Sequence, residues 1–187
     1  RLYSPSQFLV EDLRFENNSL IEVIDVDSEY KVPQATFYDK KDIETLREER
    51  VMKHSFGTNT KNDEEIYFEE DETFSVYSYK TKSNKYIVIA SQSTLSDEYL
   101  IINANDHNNK YKMFQKREKG LEHSITHFND KWYIRTNKDN ATNFKLMICD
   151  ENKTSKEYWK DFIPHREDVL LEDIDIFKNF FIVIERY

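Results

Sequence analysis

His123 and His127 stand four residues apart beside Glu122, a set that could in principle hold a metal ion. On a helix that spacing brings two imidazoles together, as in the His-Glu-x-x-His pattern of zinc peptidases. The surrounding residues alternate like a strand instead, where positions four apart face the same way but lie roughly 13 Å from each other. One ion cannot bridge that gap, so no metal site is expected. The single Cys149 lies in the apolar strand pattern Phe144-Lys145-Leu146-Met147-Ile148-Cys149. One thiol forms no internal disulfide, and a buried structural cysteine is the simpler reading. The acidic run Glu69-Glu70-Asp71-Glu72 falls between strand patterns and reads as a solvated loop.

Nucleophilic chemistry finds little to work with. No Gly-x-Ser-x-Gly elbow occurs, and two glycines in the chain, Gly57 and Gly120, cannot build a glycine-rich oxyanion hole or phosphate loop. No catalytic residue and no cofactor are therefore expected. Asn17, Asn140 and Asn152 begin Asn-x-Ser/Thr sequons, which chance supplies readily in an asparagine-rich chain.

The elements that would position any site repeat along the chain. Ser83-Asn84-Lys85-Tyr86-Ile87-Val88-Ile89 is echoed by Asn129-Asp130-Lys131-Trp132-Tyr133-Ile134 and by Lys178-Asn179-Phe180-Phe181-Ile182-Val183-Ile184. A second series, Ile66-Tyr67-Phe68, Lys112-Met113-Phe114 and Lys160-Asp161-Phe162, is offset from the first. Both return at roughly 46 to 49 residues, the period of a four-stranded propeller blade. The expected fold is all-β, a partial β-propeller of about three to four four-stranded blades, with units near 20–70, 74–117, 122–165 and 169–187.

Within those units strands are expected at 35–39, 50–56 and 65–69; at 74–80, 85–90, 98–102 and 111–115; at 123–128, 131–136, 144–149 and 159–163; and at 169–177 and 180–186. A further strand at 20–26 has no assigned blade, and 42–49 is the one expected helical turn. Asn84, Asn129 and Asn179 are placed in hairpin turns, because asparagine tolerates the left-handed conformation. The strands at 86–90 and 180–184 are nearly continuous in apolar character, as expected where both faces are covered. Ser75, Ser124 and His127, on the first strand of their units, are expected to face a central tunnel.

Composition limits the partners. The net charge of −9 argues against a nucleic-acid backbone, and no apolar run has the length of a membrane span. Thirteen Phe and twelve Tyr suit half-buried strands in a chain that is 34% charged. No leader pattern is read near Arg1; the chain, opening without methionine, is expected to be a processed or cut piece, and cytosol and periplasm both stay open.

Ordered stretches then resemble the propeller of the prolyl oligopeptidase family, most closely its oligopeptidase B (protease II) branch. They include Thr45-Leu46-Arg47, Val51-Met52-Lys53-His54-Ser55-Phe56-Gly57-Thr58, Tyr67-Phe68-Glu69-Glu70-Asp71-Glu72-Thr73-Phe74 and Ser93-Thr94-Leu95-Ser96-Asp97-Glu98-Tyr99. Arg117-Glu118-Lys119-Gly120-Leu121-Glu122-His123, Trp132-Tyr133-Ile134-Arg135-Thr136-Asn137 and Ile163-Pro164-His165-Arg166-Glu167-Asp168-Val169 continue the series. Asp173 departs from it, standing where that branch has glycine. The resemblance implies part of a seven-bladed propeller that covers a Ser-Asp-His α/β-hydrolase domain, admitting short peptides and excluding folded proteins. In the oligopeptidase B branch cleavage follows Lys or Arg. The hydrolase domain is not in this chain, so the chain alone is expected to be inactive, and its open blade faces are expected to favour self-association. The alternative is a stand-alone module binding protein or glycan, which an immediate stop codon after Tyr187 would favour over a downstream hydrolase domain.

Overall fold

Left-handed asparagines make the hairpins that organise the chain. Asn129 (φ 47°) and Asp130 (φ 57°) close a two-residue turn in which Phe128 pairs with Lys131, the geometry whose twist matches the flanking strands. Asn84 (φ 59°) serves the preceding repeat, where the Thr81 N–H donates to the Tyr86 carbonyl at 2.8 Å. Asn179 occupies the third turn without going left-handed; there the Phe177 N–H donates to the Phe180 carbonyl at 2.9 Å. The two glycines are also left-handed, Gly57 at φ 81° and Gly120 at φ 80°.

The computed structural model describes residues 20–23 (backbone only), 35–106, 108 and 110–187. Fourteen strands form three four-stranded sheets and one two-stranded sheet among these residues. The first sheet holds β1 (Leu20–Val23), β2 (Ala35–Lys41), β3 (Glu48–Ser55) and β4 (Glu64–Phe68). The second holds β5 (Ser75–Lys80), β6 (Tyr86–Gln92), β7 (Asp97–Asn103) and β8 (Lys112–Gln115). The third holds β9 (His123–Phe128), β10 (Lys131–Thr136), β11 (Lys145–Asp150) and β12 (Lys160–Ile163). The last is β13 (Leu170–Ile176) with β14 (Phe181–Arg186). Each sheet is an antiparallel meander in chain order, the blade pattern expected from the repeats.

The strand expected at 20–26 finds its place here, since β1 pairs with β2; residues 24–26 lie outside the described residues. The helical turn expected at 42–49 is corrected to a hairpin loop. Asp42 Oδ1 accepts from the Glu44 and Thr45 N–H groups at 2.9 and 2.8 Å, Leu46 is left-handed (φ 57°), and Glu48 already belongs to β3. An aspartate side chain that captures these donors removes them from a helical ladder.

Alternation within β6 and β7 splits the core into two seams. Ile87, Ile89, Leu100 and Ile102 pack toward the first sheet with Phe37, Val51 and Val76. Tyr86, Val88, Ala90, Tyr99 and Ile101 pack toward the third with Ile125, Trp132, Ile134, Met147, Cys149 and Trp159. The second sheet is thus buried on both faces, which is why its middle strands are apolar without interruption. For 180–184 the same expectation is corrected: Phe181 meets Tyr133 and Phe162, but Ile182 and Ile184 stay 42% and 43% exposed. Among the described residues no further sheet covers that side.

The outermost pairs share a device. Pairing of β3 with β4, β7 with β8 and β11 with β12 shifts register at Val51/Met52, Tyr99/Leu100 and Leu146/Met147. Such irregularities twist an outer edge away from further strand addition, and Glu64, Lys112 and Asp161 on those edges add charge. Among the described residues no helix is long and apolar enough to cross a membrane.

Candidate functional site: polar clusters at the blade seams

Tyr67, Phe68 and Glu69 alternate in, out and in as β4 ends, and this turns the first carboxylate of the acidic run into the protein. Glu69 is only 4% exposed, whereas Glu70, Asp71 and Glu72 are solvated. The expectation of a wholly solvated run is therefore corrected at its first member. Glu69 Oε2 accepts from Arg117 Nη2 at 2.5 Å, from the Tyr67 hydroxyl at 2.9 Å and from the Ser91 hydroxyl; Oε1 accepts the Asp71 N–H at 3.0 Å. Arg117 also reaches Glu98 at 3.1 Å and lies 3.9 Å over the Phe74 ring. Burial pushes the Glu69 carboxyl up, but Arg117 and the other donors outweigh it and hold the group below its ordinary value. Arg47 completes the cluster, donating to the Phe74 carbonyl at 2.8 Å and pairing with Glu49 at 3.1 Å. One buried carboxylate thus ties the end of the first blade to β6 and to the exit of the second.

The second cluster lies at the hairpin tips between the second and third sheets. His127 Nδ1 sits 2.7 Å from Ser83 Oγ, and its Nε2 sits 3.3 Å from Glu151 Oε1. Glu151 also accepts from the Tyr86 hydroxyl at 2.8 Å and pairs with Lys85 at 2.5 Å; Lys85 bridges on to Asp130 at 2.8 Å. Ser, His and Glu in contact invite a nucleophilic reading. The imidazole, however, is 1% exposed and sealed by Tyr86 and Trp132, with ring centroids 4.9 and 4.7 Å away, so no substrate carbonyl reaches it. Ser83 Oγ is also shared with Thr81 Oγ1 at 2.9 Å. This cluster fastens three loops; it does not expose a nucleophile.

The tunnel placement of His127 is accordingly corrected. It faces the seam because odd-numbered β9 positions, His123, Ile125 and His127, all point toward the second sheet. Ser75 is exposed and Ser124 half-buried, each on an edge strand of its sheet. His123 and His127 pack on separate sets of rings, His123 against Tyr99 and Trp159 at 4.9 and 5.3 Å. Burial pushes the Cys149 thiol up to about 12, so it stays protonated and inert. Sequence reading missed the Glu69–Arg117 pair, whose available signal was the strand alternation running one residue past Phe68.

Two groups packed together titrate in opposite senses. Burial lowers His123 to about 3, and both its ring nitrogens lack a partner. Burial raises Asp97 to about 6, although it accepts the His123 N–H at 2.7 Å. Between pH 6.5 and 3 the unfolded chain binds the extra proton at His123, so that group costs stability as pH falls. Between pH 6 and 4 the folded chain holds the extra proton at Asp97, so that group returns stability as pH falls. His123→Phe is expected to gain on the wild type by up to about 1.4 kcal/mol per pH unit across pH 6 to 4. Asp97→Asn should lead the wild type at pH 7.5 and lose that lead by pH 4. Urea midpoints across this range check both, and parallel pH profiles for all three proteins would contradict the assignment.

Residues 32–187 match the family described as prolyl oligopeptidase, N-terminal beta-propeller domain. Dipeptidyl aminopeptidase BI of Pseudoxanthomonas mexicana is 38% identical over 150 residues, covering 80% of this chain and 21% of that protein. Protease 2 of Moraxella lacunata is 27% identical over 137 residues, covering 73% of this chain and 19% of the relative. Oligopeptidase B from Leishmania major superposes with a TM-score of 0.77 at 30% identity, covering 82% of this chain and 21% of that one. The chain therefore spans about a fifth of the length of these relatives. Its sheets, their order and the matched residues agree, and the chain belongs to the prolyl oligopeptidase family as part of its N-terminal β-propeller domain.

Proposed function

We propose that this chain is a non-catalytic part of the propeller of a serine oligopeptidase, where it admits short unstructured peptides and holds back folded proteins. The observation that carries the reading is the family match over residues 32–187, laid on blades whose seams are closed by apolar side chains. A second blade tied to each of its neighbours by a polar cluster resists splaying, and a filter must keep its bore to select by size. The partner is an α/β-hydrolase domain that supplies the Ser-Asp-His triad, and the substrates are short peptides cleaved after Lys or Arg.

The purified 187-residue chain should leave chromogenic peptides ending in Lys or Arg intact, while the longer protein that carries it hydrolyses them. Turnover by this chain alone would overturn the division of labour. The longer protein should also cut a peptide of about ten residues and spare the same sequence inside a folded domain. Equal cutting of both would remove the filter.

A second reading concerns the reaction itself. The 38% identity to a dipeptidyl aminopeptidase favours release of N-terminal dipeptides over internal cleavage. Acetylating the peptide's amino terminus separates the two: an aminopeptidase loses its substrate, and an endopeptidase does not.

A further inference from the structure

Blades that fan outward from an axis meet only their immediate neighbours, except near the axis itself. One contact breaks the neighbour rule. Lys82, in the β5–β6 hairpin of the second sheet, is ion-paired with Asp175 on β13 of the fourth. Its ammonium also lies 4.5 Å from the centroid of the Phe177 ring, and that ring stacks on Phe180 at 4.6 Å and 18°. The third sheet, β9 to β12, lies between these partners in the chain. Lys82 thus spans from one blade to the next but one at the hairpin-tip end.

The chemistry of its seat is that of a cation receptor, a carboxylate beside the face of an aromatic ring that a second ring holds in place. In the same hairpin Lys85 pairs with Asp130 and Glu151, whereas Lys82 pairs with Asp175. Both members of the Lys82–Asp175 pair are partly exposed, at 48% and 38%, so water and salt weaken the bond and it opens readily. A contact of this kind suits an internal occupant that an incoming group displaces.

We propose that Asp175 and Phe177 form a binding site for the cationic side chain of an unstructured peptide at the axial mouth, and that Lys82 is its built-in competitor. This rests on the reading of the propeller as a peptide filter and adds to it a charge preference at the opening. A peptide without a cation does not displace Lys82, whereas a lysine or arginine side chain takes its place.

The test is a nuclear magnetic resonance titration of the 187-residue chain. The probes are a blocked tetrapeptide, Ala-Ala-Lys-Ala, and its norleucine analogue, which keeps the side-chain length without the charge. Lys82→Ala should bind the lysine peptide about two- to fivefold more tightly than the wild type, because the competitor is gone. Asp175→Asn should bind it more weakly than either, and the norleucine peptide should respond to neither substitution. Lys82→Gln, in the same exposed turn, repeats the first comparison if the alanine variant loses spectral dispersion. Equal lysine-peptide affinity in the wild type and both Lys82 variants overturns the proposal, as does equal binding of the two peptides. The filter is judged separately. If the longer protein carrying Lys82→Ala still spares a folded substrate while the titration shows no charge preference, the cation site alone fails.

Discussion

Glu69→Ala is expected to cost about 3–5 kcal/mol of unfolding free energy, the range for breaking a buried pair from one side. The carboxylate is nearly inaccessible and gathers Arg117, Ser91, Tyr67 and the Asp71 N–H on its two oxygens. Alanine removes the charge, strips the Ser91 and Tyr67 hydroxyls of their acceptor in a space water reaches poorly, and leaves Arg117 to Glu98, which is worse than never having buried the hydroxyls. Glu69→Gln keeps the shape and acceptor oxygen and should cost less, while still losing the charge-assisted bond to Arg117. Urea unfolding with Arg117→Ala and the double variant measures the coupling. A cost below about 1 kcal/mol for Glu69→Ala would mean that the cluster contributes nothing beyond a surface pair.

Trp132→Ala should be as damaging, at about 3–5 kcal/mol, for a different reason. The ring is fully buried at the centre of the second seam, with Tyr86, Phe114 and His127 at centroid distances of 5.1, 5.0 and 4.7 Å. Those neighbours sit on strands of two different sheets that cannot close over a void of that size. Trp132→Phe refills most of the space and deletes an indole N–H that has no acceptor, so its cost should fall well below that of alanine. Trp159 is the other tryptophan and remains as a fluorescence reporter for both variants. Similar midpoints for alanine and phenylalanine would show that the seam relaxes around the cavity.

Much of this architecture was legible along the chain because a propeller is built from local contacts. Each hairpin needs only a turn and two strands, so Asn84 and Asn129 could be read as left-handed turn residues, and the structure puts them there. The double burial of β6 was legible for the same reason, since a strand packed on both faces cannot hide its polar residues in alternation. The loop at 42–49 was misread because its acidic and basic residues suit a helix, and the competing Asp42 turn depends on geometry that spacing does not encode.

The sites were less legible. Glu69 and Glu70 are adjacent and chemically identical, yet one is buried on Arg117 and the other is solvated. His127 could be placed on a first strand, but which of two faces it presents is settled by the sheet packed against it. Lys82 and Asp175 stand 93 residues apart, and nothing in either neighbourhood links them.

What the amino-acid order determined by itself was the repeating blade, its turns and its family, because these follow from short-range periodicity and from ordered local matches. What only the tertiary structure decided was which polar groups share a seam and which reach past a neighbouring blade. Such partners are distant in the chain, and a side chain's charge state and role depend on the dielectric and the neighbours that folding brings to it.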